Sequence, residues 1–379
     1  MYYTRLRSFF KEKYMDKEKK TRVVVGLSGG VDSSVCCALL KERGYDVIAL
    51  FMQNWEEDDI NGACTAVSDY EDVKRVCAKL DIPHYTVNFS KEYMDRVFKY
   101  FLYEYEHGRT PNPDVLCNRE IKFGPFLEYA EKLGCDYIAT GHYAGIEHKN
   151  GLHILKKAKD TSKDQTYFLN QLSQAQLSKV LFPLQDLDKS EVRKIAEKYD
   201  LITKDKKDST GICFIGERNF REFMKGFIPA KPGNIVDTTG KVVGTHEGVM
   251  YYTLGQRRGL NIGGYHGGNG GRWFVLDKDV KTNTLIVHQG DTDLLYSDAL
   301  ITHDVNWIPS KPTSKEFDCY AKFRYRQPDQ KVHVTINDDH VRVDFDTRQR
   351  AVTPGQYVVF YTDTDCLGGG VIDEVIKNK

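Results

Sequence analysis

Residues 23–34 read VVVGLSGGVDSS, and this stretch decides the fold. The run from Val23 to Leu27 shows no alternation of polar and apolar residues, as in a strand covered on both faces; such strands belong to parallel sheets flanked by helices. The run breaks at Ser28-Gly29-Gly30, and residues 31–43 take up helical spacing. A strand-to-helix turn of this composition suits a polyphosphate. Gly29 and Gly30 let backbone amides approach an anion, Ser28, Ser33 and Ser34 add hydroxyl donors, and a helix N-terminus favours negative charge. The GxxxxGKS/T pattern and its lysine are missing, so the loop is not of the Walker type.

Outward from that turn the texture repeats. DVIALF (46–51), HYTVNF (84–89) and DYIAT (136–140) read as further strands, with helices near 69–80, 91–107 and 118–133 between them. The expected architecture is therefore α/β, a doubly wound parallel sheet. Ligands on such sheets sit at the carboxyl ends of the strands, so Met52, Gly141 and His142 fall on the same rim as the loop. Residues 165–225 continue helically, and in DKSEVRKIAEKYD (188–200) Ser190 is the expected N-cap. After Pro229 glycine and proline rise and short strands appear: KVVG, RWFVLD, TLIVHQ. From Ala299 onward YAKFRYR, KVHVTI, HVRVDF and QYVVFY alternate with turn residues, as in a β-barrel or sandwich. The expected division is a disordered extension over 1–20, a nucleotide-binding domain over 21–226, a small β-rich domain over 227–292 and a C-terminal barrel over 293–379. The stretch GGYHGGNGG (263–271) is expected to be a mobile loop, since no strand leads into it.

Composition narrows the function. Lys+Arg and Asp+Glu both number 54, so no global field draws nucleic acid and any RNA surface must be local. No apolar run reaches membrane-spanning length and no signal core opens the chain, so a cytoplasmic location is expected. Nine cysteines without a CxxC pair argue against a zinc ribbon and a disulfide framework.

Two of these thiols stand in chemically suggestive settings. In TPNPDVLCNREIKF (110–123) Asn112 is a good N-cap and Pro113 a good first helical residue, which puts Asp114 and Cys117 on one helical face. A cysteine near a helix N-terminus ionises more readily. Cys213, in KKDSTGICFIG (206–216), lies between Gly211 and Gly216 on a stretch without clean periodicity, suited to a swinging thiol. Taken singly, either is more often an inert buried thiol than a reactive one.

The string SGGVDSS resembles the PP-loop of ATP pyrophosphatases, which implies ATP as substrate, contacts from Gly26, Leu27, Ser28, Gly29, Gly30, Val31, Asp32 and Ser33, and a pyrophosphate-bound Mg2+ held by Asp32. More specifically, GLSGGVDSSV, FMQNWEEDD, PNPDVLCN, ATGHYA, KDQTYFL, STGICFIG, PGNIVD, YTLGQRRGL, FRYRQ and PGQ, in that order, resemble the tRNA-specific 2-thiouridylase family over residues 22–375. The resemblance implies adenylation of the C2 oxygen of the wobble uridine in lysine, glutamate and glutamine tRNAs, followed by sulfur transfer. It implies Cys117 as nucleophile, Cys213 as persulfide carrier and Asp114 as a proton-transfer residue, with Asn112, Pro113 and Asp114 at the target base. A sulfur-donor protein is the implied partner, and a monomer is expected.

In YAKFRYR a strand would put Lys322, Arg324 and Arg326 on one face, suited to phosphates, and Phe323 and Tyr325 on the other. The resemblance adds tRNA contacts by Arg324, Tyr325, Gln356, Lys163, Asp164, Gln165 and His142. Arg257 and Arg258 are further cations within reach of phosphate, and Asp164 suits a helix cap. The competing readings are a PP-loop synthetase that adenylates a small molecule and a non-catalytic RNA-binding module. The first has no need of two cysteine motifs, and the second leaves the phosphate loop unexplained.

Overall fold

The computed structural model describes residues 20–55, 65–207, 220–229, 231–262 and 271–377. The expected extension, apart from Lys20, and nearly all of the glycine-rich stretch lie outside the described residues. Strand β1 (Arg22–Gly26) is central in a five-stranded sheet with β2 (Asp46–Gln53), β3 (His84–Asn88), β4 (Tyr137–Ala139) and β7 (Val180–Leu181). The order is β3-β2-β1-β4-β7 and every pairing is parallel.

Both faces of this sheet are covered, which is why its sequence does not alternate. Val24 packs into one core with Phe101, Phe126 and Ile138, while Val23 and Val25 pack into another with Val35, Leu40 and Val76. The second core is supplied by α1 (Val31–Glu42) and α2 (Thr65–Leu80). Over the first lies a helix of three parts: α3 (Ser90–Tyr93), a π turn at Met94–Phe98, and α4 (Lys99–Glu106). The next runs from α5 (Pro113–Cys117) through a second π turn at Asn118–Lys122 to α6 (Pro125–Lys132).

Between β4 and β7 the chain makes a hairpin that sequence analysis left unassigned, β5 (Gly145–Lys149) and β6 (Leu152–Lys156). Its turn is Asn150-Gly151, with φ of 53° and 75°, the dipeptide that a tight hairpin favours. A single turn at Thr166–Leu169, α7 (Gln174–Leu177) and α8 (Lys189–Lys198) follow, and α9 (Phe220–Lys225) precedes the second sheet.

The N-cap of α8 is Asp188, not Ser190: Asp188 forms a capping box with Glu191, whose Oε2 accepts the Asp188 amide at 2.8 Å. Aspartate and serine cap about equally well, and only Asp188 has a glutamate three positions on. Lys189 thereby becomes the first helical residue.

The second sheet has the order β10-β11-β8-β9, from β8 (Gly233–Val236), β9 (Val242–His246), β10 (Trp273–Asp279) and β11 (Thr284–Gln289). The third is a closed barrel of β12 (Tyr296–Trp307), β13 (Glu316–Lys322), β14 (Gln330–Ile336), β15 (Val341–Arg350), β16 (Tyr357–Tyr361) and β17 (Asp365–Ile376), with β12 pairing both β15 and β17. Closure removes the free edges an open sheet would present. The barrel is not an appendage, because β6 continues it: Leu155 pairs with Cys366 and Lys156 with Asp365.

The barrel corrects the reading of YAKFRYR. Strand β13 ends at Lys322, and residues 323–327 turn, with the Gln327 amide bonding the Arg324 carbonyl at 3.1 Å and Gln327 Oε1 accepting the Phe323 amide at 3.0 Å. The proposed face of three alternating cations does not form. Lys322 is 13% exposed, 3.5 Å from Asp329, and lies over the ring of Tyr361.

Candidate active site

The loop leaves β1 at Gly26 and enters α1 at Gly30, whose extended backbone (φ −89°, ψ 163°) makes it the N-cap. Leu27 is buried and its amide bonds Leu50 on β2 at 3.0 Å, so the loop starts from a fixed point. Ser33 Oγ, one turn into the helix, accepts the Ser28 amide at 3.2 Å and lies 3.2 Å from Ser28 Oγ; Ser34 Oγ donates to the Gly30 carbonyl at 2.8 Å. Gly29, at φ 78°, is required twice over: the conformation disfavours a side chain, and a Cβ would lie 2.5 Å from the Asp69 carbonyl oxygen. Gly141 closes the other wall, where a Cβ would meet the Ser33 amide nitrogen at 2.8 Å. Met52 stands behind the loop, its methyl 3.8 Å from the Cβ position of Gly26, and Val31 is buried.

Asp32 lies in the first turn of α1, and its partners come from far along the chain. Lys189 Nζ is 2.7 and 2.8 Å from its two carboxylate oxygens, and the Tyr143 hydroxyl donates to Oδ1 at 2.9 Å. Lys189 is 15% exposed, so its charge acts through a medium less screening than water. Sequence analysis missed both residues; only the fold joins positions 157 residues apart. A glycine-walled loop on a helix N-terminus, with one acid and one ammonium facing it, fits a nucleotide polyphosphate. A Mg2+ bound largely through phosphate oxygens would find one carboxylate in Asp32.

His142 is next to that wall. Its Nδ1 is 2.8 Å from Thr140 Oγ1, and its ring packs on Phe123 and Phe182. Burial, and secondarily the charge of Lys122, holds it well below the ordinary histidine value, so the imidazole is neutral at pH 7.

The thiol segment is built as expected at its start. Asn112 Oδ1 accepts the amides of Asp114 and Val115 at 3.2 and 3.3 Å, and Pro113 occupies the first helical position. Cys117 closes the five-residue helix and is 2% exposed, packed in the core shared with Phe98, Phe123 and Tyr167. Burial raises Asp114 above the ordinary aspartate value, partly offset by Lys122. The segment is bolted to the phosphate loop by its continuation: Phe126 Cζ lies 3.5 Å from the Cβ position of Gly26, and Phe123 packs on His142.

From the other side the barrel holds the same segment. Gln356 Nε2 donates to the Thr110 carbonyl at 2.7 Å and approaches that of Pro111 at 3.4 Å, and the Thr110 amide bonds Pro354 at 3.0 Å. Arg109 joins Glu104 at 2.6 Å to Asp373 of β17 at 3.1 Å.

Lys163, Asp164 and Gln165 lead into the turn at Thr166. Asp164 is buried and accepts the Ala158 amide at 2.9 Å and the Thr166 hydroxyl at 2.6 Å; Gln165 Oε1 accepts the Tyr143 amide at 3.0 Å. Tyr325 leans on Phe168 at 4.4 Å between ring centroids, its hydroxyl 3.5 Å from the Lys163 carbonyl, while Arg324 bonds the Ala351 carbonyl. The phosphate loop, His142, Gln165, the Asn112–Cys117 segment and Gln356 thus form one connected region. Cys213 lies outside the described residues. The chain enters that stretch beside the loop, where Lys206 pairs with Asp69 and Asp72 at 2.7 Å, and leaves it at Phe220, packed on Tyr105 of α4. Arg257 and Arg258 are exposed on the second domain.

A glycine-serine cradle without a Walker lysine, at the carboxyl edge of a parallel sheet, places the molecule among the ATP-using enzymes of the PP-loop class. Residues 21–217 match the family described as tRNA methyl transferase HUP domain, 221–289 its PRC-barrel domain, and 297–372 the aminomethyltransferase beta-barrel domain. The chain is 58% identical over 361 residues to the tRNA-specific 2-thiouridylase MnmA of Alkaliphilus oremlandii, covering 95% of this chain and 99% of that one. It is 58% identical over 367 residues to the protein of the same name from Oceanobacillus iheyensis, covering 96% and 98%. The chain belongs to the tRNA-specific 2-thiouridylase family. Among solved structures, the U34-tRNA thiolase NcsA from Methanococcus maripaludis matches at 21% identity and a TM-score of 0.33, over 52% of this chain and 66% of that one.

Proposed function

We propose that this chain is an ATP-dependent tRNA uridine 2-sulfurtransferase that acts on the wobble uridine of lysine, glutamate and glutamine tRNAs. The observation that carries the reading is the attachment of the Asn112–Cys117 segment to the phosphate loop through Phe126 and Phe123. On this reading one base meets both. The names of relatives speak of thiolation whereas the matched family descriptions speak of methyl transfer; the near-complete alignments favour thiolation.

A uracil carbonyl oxygen is a poor leaving group. Bound at the cradle, ATP supplies the adenylyl group that makes the C2 oxygen a good one. The loop amides and Lys189 hold the polyphosphate, Asp32 orients Lys189 and supplies a carboxylate to Mg2+, and neutral His142 lines the wall. Asn112, Pro113 and Asp114 meet the base, and Asp114, with its raised affinity for a proton, moves one at the uracil. Cys213 brings a persulfide from a sulfur-donor protein. In direct transfer its terminal sulfur bonds C2 as AMP leaves; the Cys117 thiolate then attacks the Cys213 sulfur, the C2 sulfur departs as the thiocarbonyl, and a Cys117–Cys213 disulfide remains for an external thiol to reduce. In the other order Cys117 attacks first, releasing sulfide that displaces AMP.

Contacts of Lys163, Asp164, Gln165, Arg324, Tyr325 and Gln356 with tRNA, a monomeric state, a cytoplasmic location and the domain limits 21–226, 227–292 and 293–379 belong to the same proposal. Among the described residues no helix is long and apolar enough to cross a membrane. The test is mass spectrometry of tRNA nucleosides after incubation with protein, ATP and a sulfur donor. Formation of 2-thiouridine with pyrophosphate is expected, and its loss in Cys117→Ser and Cys213→Ser with tRNA binding retained. Phosphate release in place of pyrophosphate, or full thiolation by both variants, overturns the reading.

A further inference from the structure

Three arginines, Arg324, Arg326 and Arg350, line a single cavity of about 320 Å³, together with Phe323, Gln327 and Val352. No carboxylate is among the lining residues. The cavity lies where the barrel meets the second domain. Arg350 stacks 4.7 Å over the ring of Phe274 on β10, and Gly255 of the loop before it comes so close that a Cβ there would be 2.7 Å from Ala351 Cβ and 3.6 Å from Arg350 Nη1.

Five arginines elsewhere in the protein are matched with acids. Arg22 pairs with Asp46, Arg109 with Glu104 and Asp373, Arg119 with Glu120, Arg342 with Asp344, and Arg348 with Asp293 and Asp298. Among the described residues none of the three in the cavity has such a pair. Arg324 and Arg350 crowd one another: burial, and then the charge of Arg350, push Arg324 below the ordinary arginine value. A guanidinium does not relieve this by losing its proton in the working range of pH. An anion relieves it, and a planar fork of donors fits the paired oxygens of a phosphate better than it fits a halide.

We propose that Arg324, Arg326 and Arg350 form a phosphate pocket that grips the backbone of the bound tRNA away from the reacting base, with Arg326 and Arg350 its new members. This rests on the reading of the chain as a tRNA-modifying enzyme. The turn at 323–327 links the pocket to the rest of the RNA path. It sends Arg324 and Arg326 into the cavity and lays Tyr325 on Phe168 beside Lys163, so a strand that passes Lys163 next meets the guanidiniums. A backbone phosphate, rather than a free one, is favoured because the cavity opens on a two-domain junction where an extended polyanion gains contacts on either side.

The test is the salt dependence of tRNA binding by Arg326→Gln, Arg350→Gln and Arg350→Lys in the full chain, with inorganic phosphate as a separate probe. Each glutamine variant is expected to bind tRNA about 3–10-fold more weakly and to lower the slope of log K against log salt by about one. The lysine variant should keep the slope. ATP affinity should match the wild type in every variant, and thermal melting should match it in Arg326→Gln; Arg350→Gln also loses the stacking on Phe274, so its melting is read beside its slope. Unchanged slopes and affinities in the glutamine variants, while the wild type binds tRNA, overturn the pocket alone; failure of the wild type to bind tRNA overturns the functional reading. Loss of phosphate binding with tRNA binding intact overturns the pocket as a backbone site, and so does a slope lost equally in Arg350→Lys.

Discussion

Lys189 reaches across from the first turn of α8 to place its ammonium within 2.8 Å of both carboxylate oxygens of Asp32, in the first turn of α1. The N-terminus of α1 and one ion pair therefore meet at the phosphate loop. The pair does not act as a surface salt bridge does. Asp32 cancels most of the Lys189 charge while the loop is empty of anions, and the arrival of a polyphosphate gives Lys189 a second set of oxygens to hold.

Lys189→Met tests this. The ammonium acts where charge builds on the leaving pyrophosphate, so ATP-dependent pyrophosphate release in the presence of tRNA should fall by about 10²–10³. Because Lys189 is only 15% exposed, losing its ammonium leaves the Asp32 carboxylate part-buried with the Tyr143 hydroxyl, so a loss of stability is expected as well and melting is read beside the rate. A rate near that of the wild type would remove Lys189 from the site.

Gly141→Ala probes the wall. The added Cβ would lie 2.8 Å from the Ser33 amide nitrogen and 3.1 Å from the Asp32 carbonyl carbon, both backbone atoms at the start of α1 that cannot swing aside. The loop must shift, and ATP affinity measured by calorimetry should weaken at least about tenfold, since amide positions decide anion binding there. Binding of ATP at wild-type strength would show that the wall yields.

Gln356→Ala tests the barrel as a clamp. It removes the amide that bonds the Thr110 and Pro111 carbonyls just before Asn112. The lost hydrogen bond is worth about 1 kcal/mol, too little to unfold the chain, but a displaced Asn112–Asp114 segment should lower thiolation by about tenfold with ATP affinity unchanged. Equal thiolation by variant and wild type would confine Gln356 to a passive contact.

What the sequence disclosed and what it hid follow from range. The loop, its strand and its helix are neighbours in the chain, so Ser28–Ser33 could be read directly; so could Asn112 and Pro113, whose capping roles depend on residues two and three away. Lys189 carries no local signature, for its partner is 157 residues distant, and an N-cap set two residues late gave no reason to single it out. The three-cation face in YAKFRYR failed because a period of two holds only while a strand lasts, and β13 stops at Lys322. The hairpin at Asn150-Gly151 had a readable signal, yet nothing local indicated that β6 would join a strand some two hundred residues on.

Asp114→Asn separates stability from chemistry. Burial raises the carboxyl of Asp114 above its ordinary value of 3.8, with Lys122 acting in the opposite sense. In the unfolded chain the group ionises near that ordinary value, whereas the folded chain keeps the proton to higher pH. Its contribution to stability is thus fully present below the unfolded value and is lost as pH rises through the folded one. Asparagine cannot ionise, so the variant should melt at the same temperature as the wild type in acid and above it at neutral pH, the gap opening as pH rises from about 4. Thiolation should move the other way, falling by about 10²–10⁴ if the carboxyl transfers a proton at the base. Melting curves from pH 4 to 8 with nucleoside analysis at pH 7 read both. A gap that stays constant with pH would mean that burial does not hold the proton on Asp114, and undiminished thiolation would take Asp114 out of the chemistry whatever its stability shows.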